Sequence, residues 1–339
     1  MLTRIPLWLM NLLYLGAYVP YVVLTRLLAT TPVPELQRPL SGVEILPASL
    51  ILSGVLTYAF VWLAGWYKVA HSIRVLGIRL PAPTRWTALS GLGTALVLFT
   101  VPLSFTFKGV SIPFIQLLMR GDVLVLAPLV DVLGRRKVRW YSWLALLLVA
   151  IGMFAAVGER RGFQLPVLAW LTLGLYTLGY FLRLWVMTRV AKTGAADAVK
   201  RYFVEEKLVG IPLAVFFLAL FSGFGDGTAG DQLSFGFIAI WRSSQLPAIA
   251  ALSALLFLVS IFSAVILLDK RESSFCVPME RSASILAGVI GACVLSAAFG
   301  QKAPTSAELV GAGLLVIAIV VLALGPRVGK ARAAATVST

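Results

Sequence analysis

Charge is scarce in this chain. Asp, Glu, Lys and Arg make up 13% of its 339 residues, about half the share of a soluble domain. There are 14 acidic residues against 29 basic ones, with one histidine and two cysteines. The lone histidine, His71, lies in a basic polar stretch, which excludes a multi-histidine metal site. Cys276 and Cys293 share one apolar run. On a single helix their separation is a rise of about 25 Å, so they cannot bridge each other, and both are expected to be small core residues. HExxH, GxSxG, Walker A, a dinucleotide glycine pattern and a DDxxD-like cluster are all missing. GDGTAGD at 225–231 has too few acids, wrongly placed, for a calcium loop and is expected to be a plain loop. The chain is therefore not expected to be an enzyme, and no cofactor or metal is expected.

What the chain has in abundance is hydrocarbon. Sixty per cent of its residues are hydrophobic (60%) and the mean hydropathy is +0.94, so water is not its main solvent. A helix needs about twenty mostly apolar residues to cross a bilayer. That rule predicts ten spans, at roughly 5–28, 44–66, 86–106, 109–131, 140–157, 166–188, 203–222, 247–268, 275–299 and 306–325. The first run is longer than the apolar region of a signal peptide and no small-x-small site follows it, which predicts a retained helix. Trp8, Trp66, Tyr67, Trp86, Trp140, Tyr141, Trp143 and Trp241 fall near span ends, as an interfacial aromatic belt requires. SFGFIAIW, within 223–246, is too short to span; it is expected to lie along the interface or to extend the eighth helix.

The basic residues orient these spans. With the N-terminus inside, the inner segments hold Arg4; Lys68, Arg74, Arg79 and Arg85; and Arg135, Arg136, Lys137 and Arg139. They continue with Arg189, Lys192, Lys200 and Arg201; Lys270 and Arg271; and Arg327, Lys330 and Arg332. The outer segments hold only Arg26, Arg38, Lys108, Arg160, Arg161, Arg242 and Lys302. A missed helix would scramble this alternation. The net charge of +15 thus reads as a topology signal, with both termini cytoplasmic, and not as nucleic-acid binding. The expected location is the cytoplasmic (inner) membrane.

The fourth and fifth spans have a counterpart in the ninth and tenth. SIPFIQLLMRGDVLVLAPLVDVLGRR precedes WYSWLALLLVAIGMF, and CVPMERSASILAGVIGACVLSAAFGQK precedes ELVGAGLLVIAIVVL. Pro113 and Pro278 match near the helix starts, Gly134 and Gly300 at the ends. This predicts an all-α, polytopic membrane protein with two five-helix repeats, 1–160 and 161–326, and a cytoplasmic tail at 327–339. An odd number of helices inverts one repeat relative to the other, the plan of many secondary transporters.

On these features the chain resembles the drug/metabolite transporter superfamily, and FCVPMERSASILAGVIGACVLSAAFGQKAPTSAELVGAGLLVIAIVVL is similar to the last helix pair of its triose-phosphate and nucleotide-sugar branches. The resemblance implies ten helices and alternating access. In phosphate-translocating members a Lys-Arg pair at the start of that helix helps hold the substrate phosphate. Glu280 and Arg281 occupy the matching positions, so the arginine carries over and the lysine is replaced by an acid.

Charges inside apolar spans mark candidate sites, because each costs several kcal/mol (about 3 on insertion scales) unless paired or solvated. Arg120 lies about eleven residues into its span, roughly 17 Å from the outer end and near the midplane. Asp122, about 200° further around the helix, needs a different partner. The structural alternative pairs Arg120 with Glu280 and Asp122 with Arg281. The functional one is a polar cavity between the halves. Asn11, Tyr14 and Tyr18 recur at helical spacing and give the first helix one polar face. Arg183, with Tyr176 and Tyr180 before it, suits snorkelling and substrate contact equally. Glu205, Glu206 and Lys207 are expected to start the seventh helix, where carboxylates suit the dipole.

The expected substrate-binding set is Arg120, Arg281, Asp122, Glu280, Asn11, Tyr18, Gln116 and Tyr180. The expected function is secondary transport of a small anionic or amphipathic organic solute, lipid-linked ones included. The alternatives are a structural or partner subunit of a membrane complex and, less favoured, a membrane enzyme acting on lipid head groups. The expected partners are the solute and the lipid bilayer; a homodimer is left open.

Overall fold

The structure is a computed structural model that describes residues 6–75, 78–103, 112–157, 167–193, 195, 197–224, 228–301, 303–304 and 306–337. Among these, eleven α-helices follow in order: α1 (Leu7–Thr30), α2 (Gly42–Leu63), α3 (Arg85–Leu103), α4 (Ile112–Leu133), α5 (Trp140–Val157) and α6 (Val167–Val186), then α7 (Ala198–Phe224), α8 (Thr228–Ile238), α9 (Leu246–Leu267), α10 (Ser273–Phe299) and α11 (Ser306–Val337). A two-stranded antiparallel hairpin, β1 (Ser72–Val75) and β2 (Ile78–Pro81), links α2 to α3 and pairs Arg74 with Arg79. The all-α class holds.

Among the described residues four helices, α1, α2, α9 and α10, are long and apolar enough to cross a membrane. They suggest a membrane protein. The outer surface agrees with them. Trp62, Leu63, Phe154, Val167 and Trp170 all turn large apolar side chains outward, from α2, α5 and α6. In water so many exposed large apolar side chains would favour association.

The ten long helices pack in a repeating pattern. α3 packs on α6 and α7, and α9 packs on α1 and α2. α10 packs on α1 and α11, and α4 packs on α6 and α5. α5 meets α11, α4 meets α10, and α2 meets α7. Replacing each long helix by the one five places along (α1 by α6, α2 by α7, α3 by α9, α4 by α10, α5 by α11) carries these contacts into one another. Glycine sets the α3–α6 crossing. A Cβ on Gly93 of α3 would lie 2.6 Å from the carbonyl oxygen of Gly179 on α6, and one on Gly179 would lie 2.7 Å from that of Gly93. Small residues at both positions let the two backbones touch.

Side chains anchor the helix ends. Ser41 and Glu44 form a capping box at the start of α2, and Arg38 forks onto the Glu44 carboxylate at 2.7 and 3.0 Å. Asp131, wholly buried near the end of α4, accepts the backbone N–H groups of Ser273 (2.8 Å) and Ser274 (2.6 Å). It thereby caps α10 from a different helix. Beside it Arg136 donates to the carbonyls of Lys192, Lys270 and Arg271, and Lys192 Nζ donates to that of Arg271. The turns after α4, α6 and α9 are therefore tied together at one end of the bundle.

Three local expectations are corrected. α7 begins at Ala198 and not near 203, because Lys200 pairs with Asp197 and Arg201 donates to the Val69 carbonyl, holding the polar first turn helical. The 228–238 stretch, whose first residues fall in the segment expected to be a loop, is a separate short helix, α8, packed on α2 and α7. Cys276 is buried as expected, but Cys293 is exposed on the outer side of α10, where a small apolar side chain needs no protein neighbour.

Candidate functional site

α10 carries the two charges at the centre of the site. Glu280 and Arg281 lie about 11 Å of helix rise from its start, each more than nine-tenths buried. Tyr14 of α1 donates its hydroxyl to Glu280 Oε1 at 2.8 Å, and Ser263 of α9 donates to the same oxygen at 3.2 Å. Arg281 Nε faces Glu280 Oε2 at 3.4 Å, a charge pairing too long for a good hydrogen bond. The other end of the guanidinium donates to the Tyr180 hydroxyl of α6, and its carbon lies 4.9 Å from the centre of that ring.

Aromatic rings bound the charged pair on two sides. Tyr14, Tyr18 and Tyr21 run along α1 with centroids 5.4 and 5.6 Å apart, and Tyr176 and Tyr180 on α6 lie 4.9 Å apart. Helical spacing of three and four residues puts each set on one face. Asn11, one turn before Tyr14, is buried on the same side of α1.

Four buried atoms here have no hydrogen-bond partner among the described residues: Asn11 Oδ1, Glu280 Oε2, Arg281 Nε and Ser282 Oγ. Leaving a buried polar group unsatisfied costs about 1–3 kcal/mol, more for a charged one. They combine acceptors with a donor, and they come from the first turns of α1 and from α10.

A second buried cluster lies one helical turn along α6. Arg183 Nε bonds Glu206 Oε1 of α7 at 3.0 Å; Thr94 of α3 donates to the same oxygen, and Lys207 Nζ lies 3.7 Å from Oε2. Snorkelling is thereby corrected for Arg183: its guanidinium is directed inward onto Glu206. Neither Glu205 nor Glu206 serves the dipole of α7, since both lie in its third turn. Glu205 accepts the backbone N–H and Nδ1 of His71 and the hydroxyl of Thr87, at 3.0, 2.7 and 2.7 Å, which pins the hairpin and the start of α3 to α7.

Of the expected set, Glu280, Arg281 and Tyr180 are in contact, Tyr18 packs against Tyr14, which bonds Glu280, and Asn11 lies buried one turn before Tyr14. Gln116, Arg120 and Asp122 are on α4, and their side chains lie outside the described residues, as do the pairings expected for them. Ser263 was not expected. Its signal is the hydroxyl within SIFSAVIL, a polar residue in the most apolar helix. Asp131 is a charge at the end of the fourth apolar run, but its partners are some 140 residues away and nothing local names them.

No family model and no curated protein matches the chain. Among solved structures, a crystal structure matches 94% of this chain and 96% of its own with a TM-score of 0.63 at 12% identity. At that identity the likeness concerns the fold alone.

Proposed function

We propose that the chain is a ten-helix secondary transporter of a small organic solute, with both termini cytoplasmic and two inverted five-helix halves around a central site. The packing pattern that repeats every five long helices supports the halves, and the distribution of basic residues supports the orientation. The observation that carries the reading is the set of unpartnered buried atoms on Asn11, Glu280 and Arg281, walled by the tyrosines of α1 and α6. The 3.4 Å charge pairing of Glu280 with Arg281 leaves these hydrogen-bonding positions unfilled, whereas a scaffold would be expected to satisfy them internally.

The solute this arrangement suits is amphipathic. Its anionic or acceptor group meets Arg281, a donor meets Glu280 and Asn11, and its apolar body lies against the tyrosine rings. Rocking of one half against the other would open the site to alternate faces. The test reconstitutes the purified protein in liposomes and measures counterflow of a panel of small organic acids and amphoteric solutes. Arg281→Gln is expected to abolish counterflow while the protein stays folded and monodisperse. Failure of every panel member to exchange with the wild-type protein, or full activity of folded Arg281→Gln, would overturn the reading.

A further inference from the structure

A cleft of about 1200 Å³ opens at the end of the bundle where the turns after α4 and α9 face each other. Five cations line it, Arg136, Lys137, Arg139, Lys270 and Arg271, against one acid, Glu272. Glu272 is occupied by the Ser142 hydroxyl at 3.0 Å, and Asp269 holds Arg271 at 3.1 Å. Arg136 is committed to the carbonyls of three residues and acts as the frame. Lys137 and Lys270 have no acidic partner among the described residues, and both are exposed. A concentration of basic residues at one face follows from topology alone. Topology does not explain why they converge on a concavity braced by Arg136.

Part of the lining is of a different kind. Trp8 at the start of α1 and Leu324 of α11 also line the cleft, and both face outward, 56% and 47% exposed. One cleft therefore joins basic side chains to apolar ones that are also exposed on the outside of the bundle. An ion needs only the basic residues. A ligand with a phosphate head and hydrocarbon tails fits both together.

We propose that this cleft is a binding site for a phosphate-bearing head group, that of an anionic phospholipid of the surrounding leaflet. Lys137 and Lys270 supply the charge, Arg139 and Arg271 flank them, and the acyl chains leave past Trp8 and Leu324. Neither Glu280 nor Arg281 lines this cleft, and the proposal does not depend on transport, so its test reads binding alone.

The full-length protein is placed in nanodiscs of zwitterionic phospholipid, and phosphatidylglycerol is titrated in while retained lipid is counted by native mass spectrometry. Wild type is expected to retain the anionic lipid preferentially. The exposed double variant Lys137→Gln/Lys270→Gln is expected to lose about thirtyfold in affinity, given the usual contribution of each basic residue near an anionic surface. Lys200→Gln, a basic residue outside the cleft, is expected to leave affinity unchanged. Competition by glycerol 3-phosphate separates the two sources of phosphate. Weak competition supports the lipid, whereas displacement at equal concentration would overturn the lipid assignment in favour of a soluble phosphate ester. Equal retention of anionic and zwitterionic lipid, or an unaltered double variant, would overturn the proposal.

Discussion

Tyr14 of α1 donates its hydroxyl to Glu280 of α10 across 2.8 Å, joining two helices 266 residues apart in sequence at a buried charge. The bond leaves Oε2 of the same carboxylate for Arg281 and for whatever else enters the site. Tyr14, with Ser263 on the same oxygen, thus positions the acid beside Arg281. Tyr14→Phe keeps the ring and removes the bond. A hydrogen bond to a charged group contributes about 1.5–3 kcal/mol, so a fall in unfolding free energy of that size is expected, with weaker solute affinity. Ligand-dependent thermal unfolding measures both, and an unchanged protein would show that the bond does not hold Glu280.

The Arg183–Glu206 pair is expected to behave as a buried ion pair in which the acid matters more. Glu206 accepts from Arg183 and Thr94 and faces Lys207, whereas Glu206 is the acidic partner that Arg183 meets. Breaking a buried pair from one side costs about 3–5 kcal/mol. Glu206→Gln, which strands two cations, should be the more damaging, and Arg183→Met combined with Glu206→Gln should cost less than the sum. Unfolding of the three variants in mixed micelles supplies the cycle. Strict additivity would mean that the two side chains do not interact.

At the α3–α6 crossing a single methyl group should be felt. Gly179→Ala places its Cβ 2.7 Å from a backbone oxygen that cannot swing aside, so the helices must separate. Overpacking of this kind costs about 1–3 kcal/mol. Gly174→Ala, on the same helix, meets nothing within 4 Å and is expected to be neutral or slightly stabilising through helix propensity. Melting temperatures of the two variants decide it. Equal effects would show that the crossing is looser than described.

Topology can be read with single cysteines in a background where Cys276 and Cys293 are replaced by serine. Cysteine at Thr31, in the exposed turn after α1, should react with a membrane-impermeant maleimide in intact cells. Cysteine at Thr193, in the exposed turn after α6, should react only after permeabilisation. The reverse pattern would invert the orientation, and labelling of both from outside would remove the proposed helix count.

Much of the fold was legible in the chain itself because membrane-scale helices obey local rules. An apolar run of sufficient length must satisfy its backbone internally, so each expected span has a helix at its place and all-α architecture follows. The polar face of α1 could also be read, since Asn11, Tyr14 and Tyr18 recur at the helical period. Glu280 and Arg281 stood out as charges in an apolar run and by their match to the basic pair of the resembled family. Partnership was decided by tertiary structure. Glu280 meets Tyr14 and Ser263, Arg183 turns inward to Glu206, and Asp131 caps a helix from another helix. Such choices depend on which helices cross and at which turn, and crossings are set by close contacts such as that of Gly93 with Gly179. Hydrophobicity places a residue in the bilayer but is silent about its neighbour, because lipid and a second apolar helix offer it nearly the same free energy.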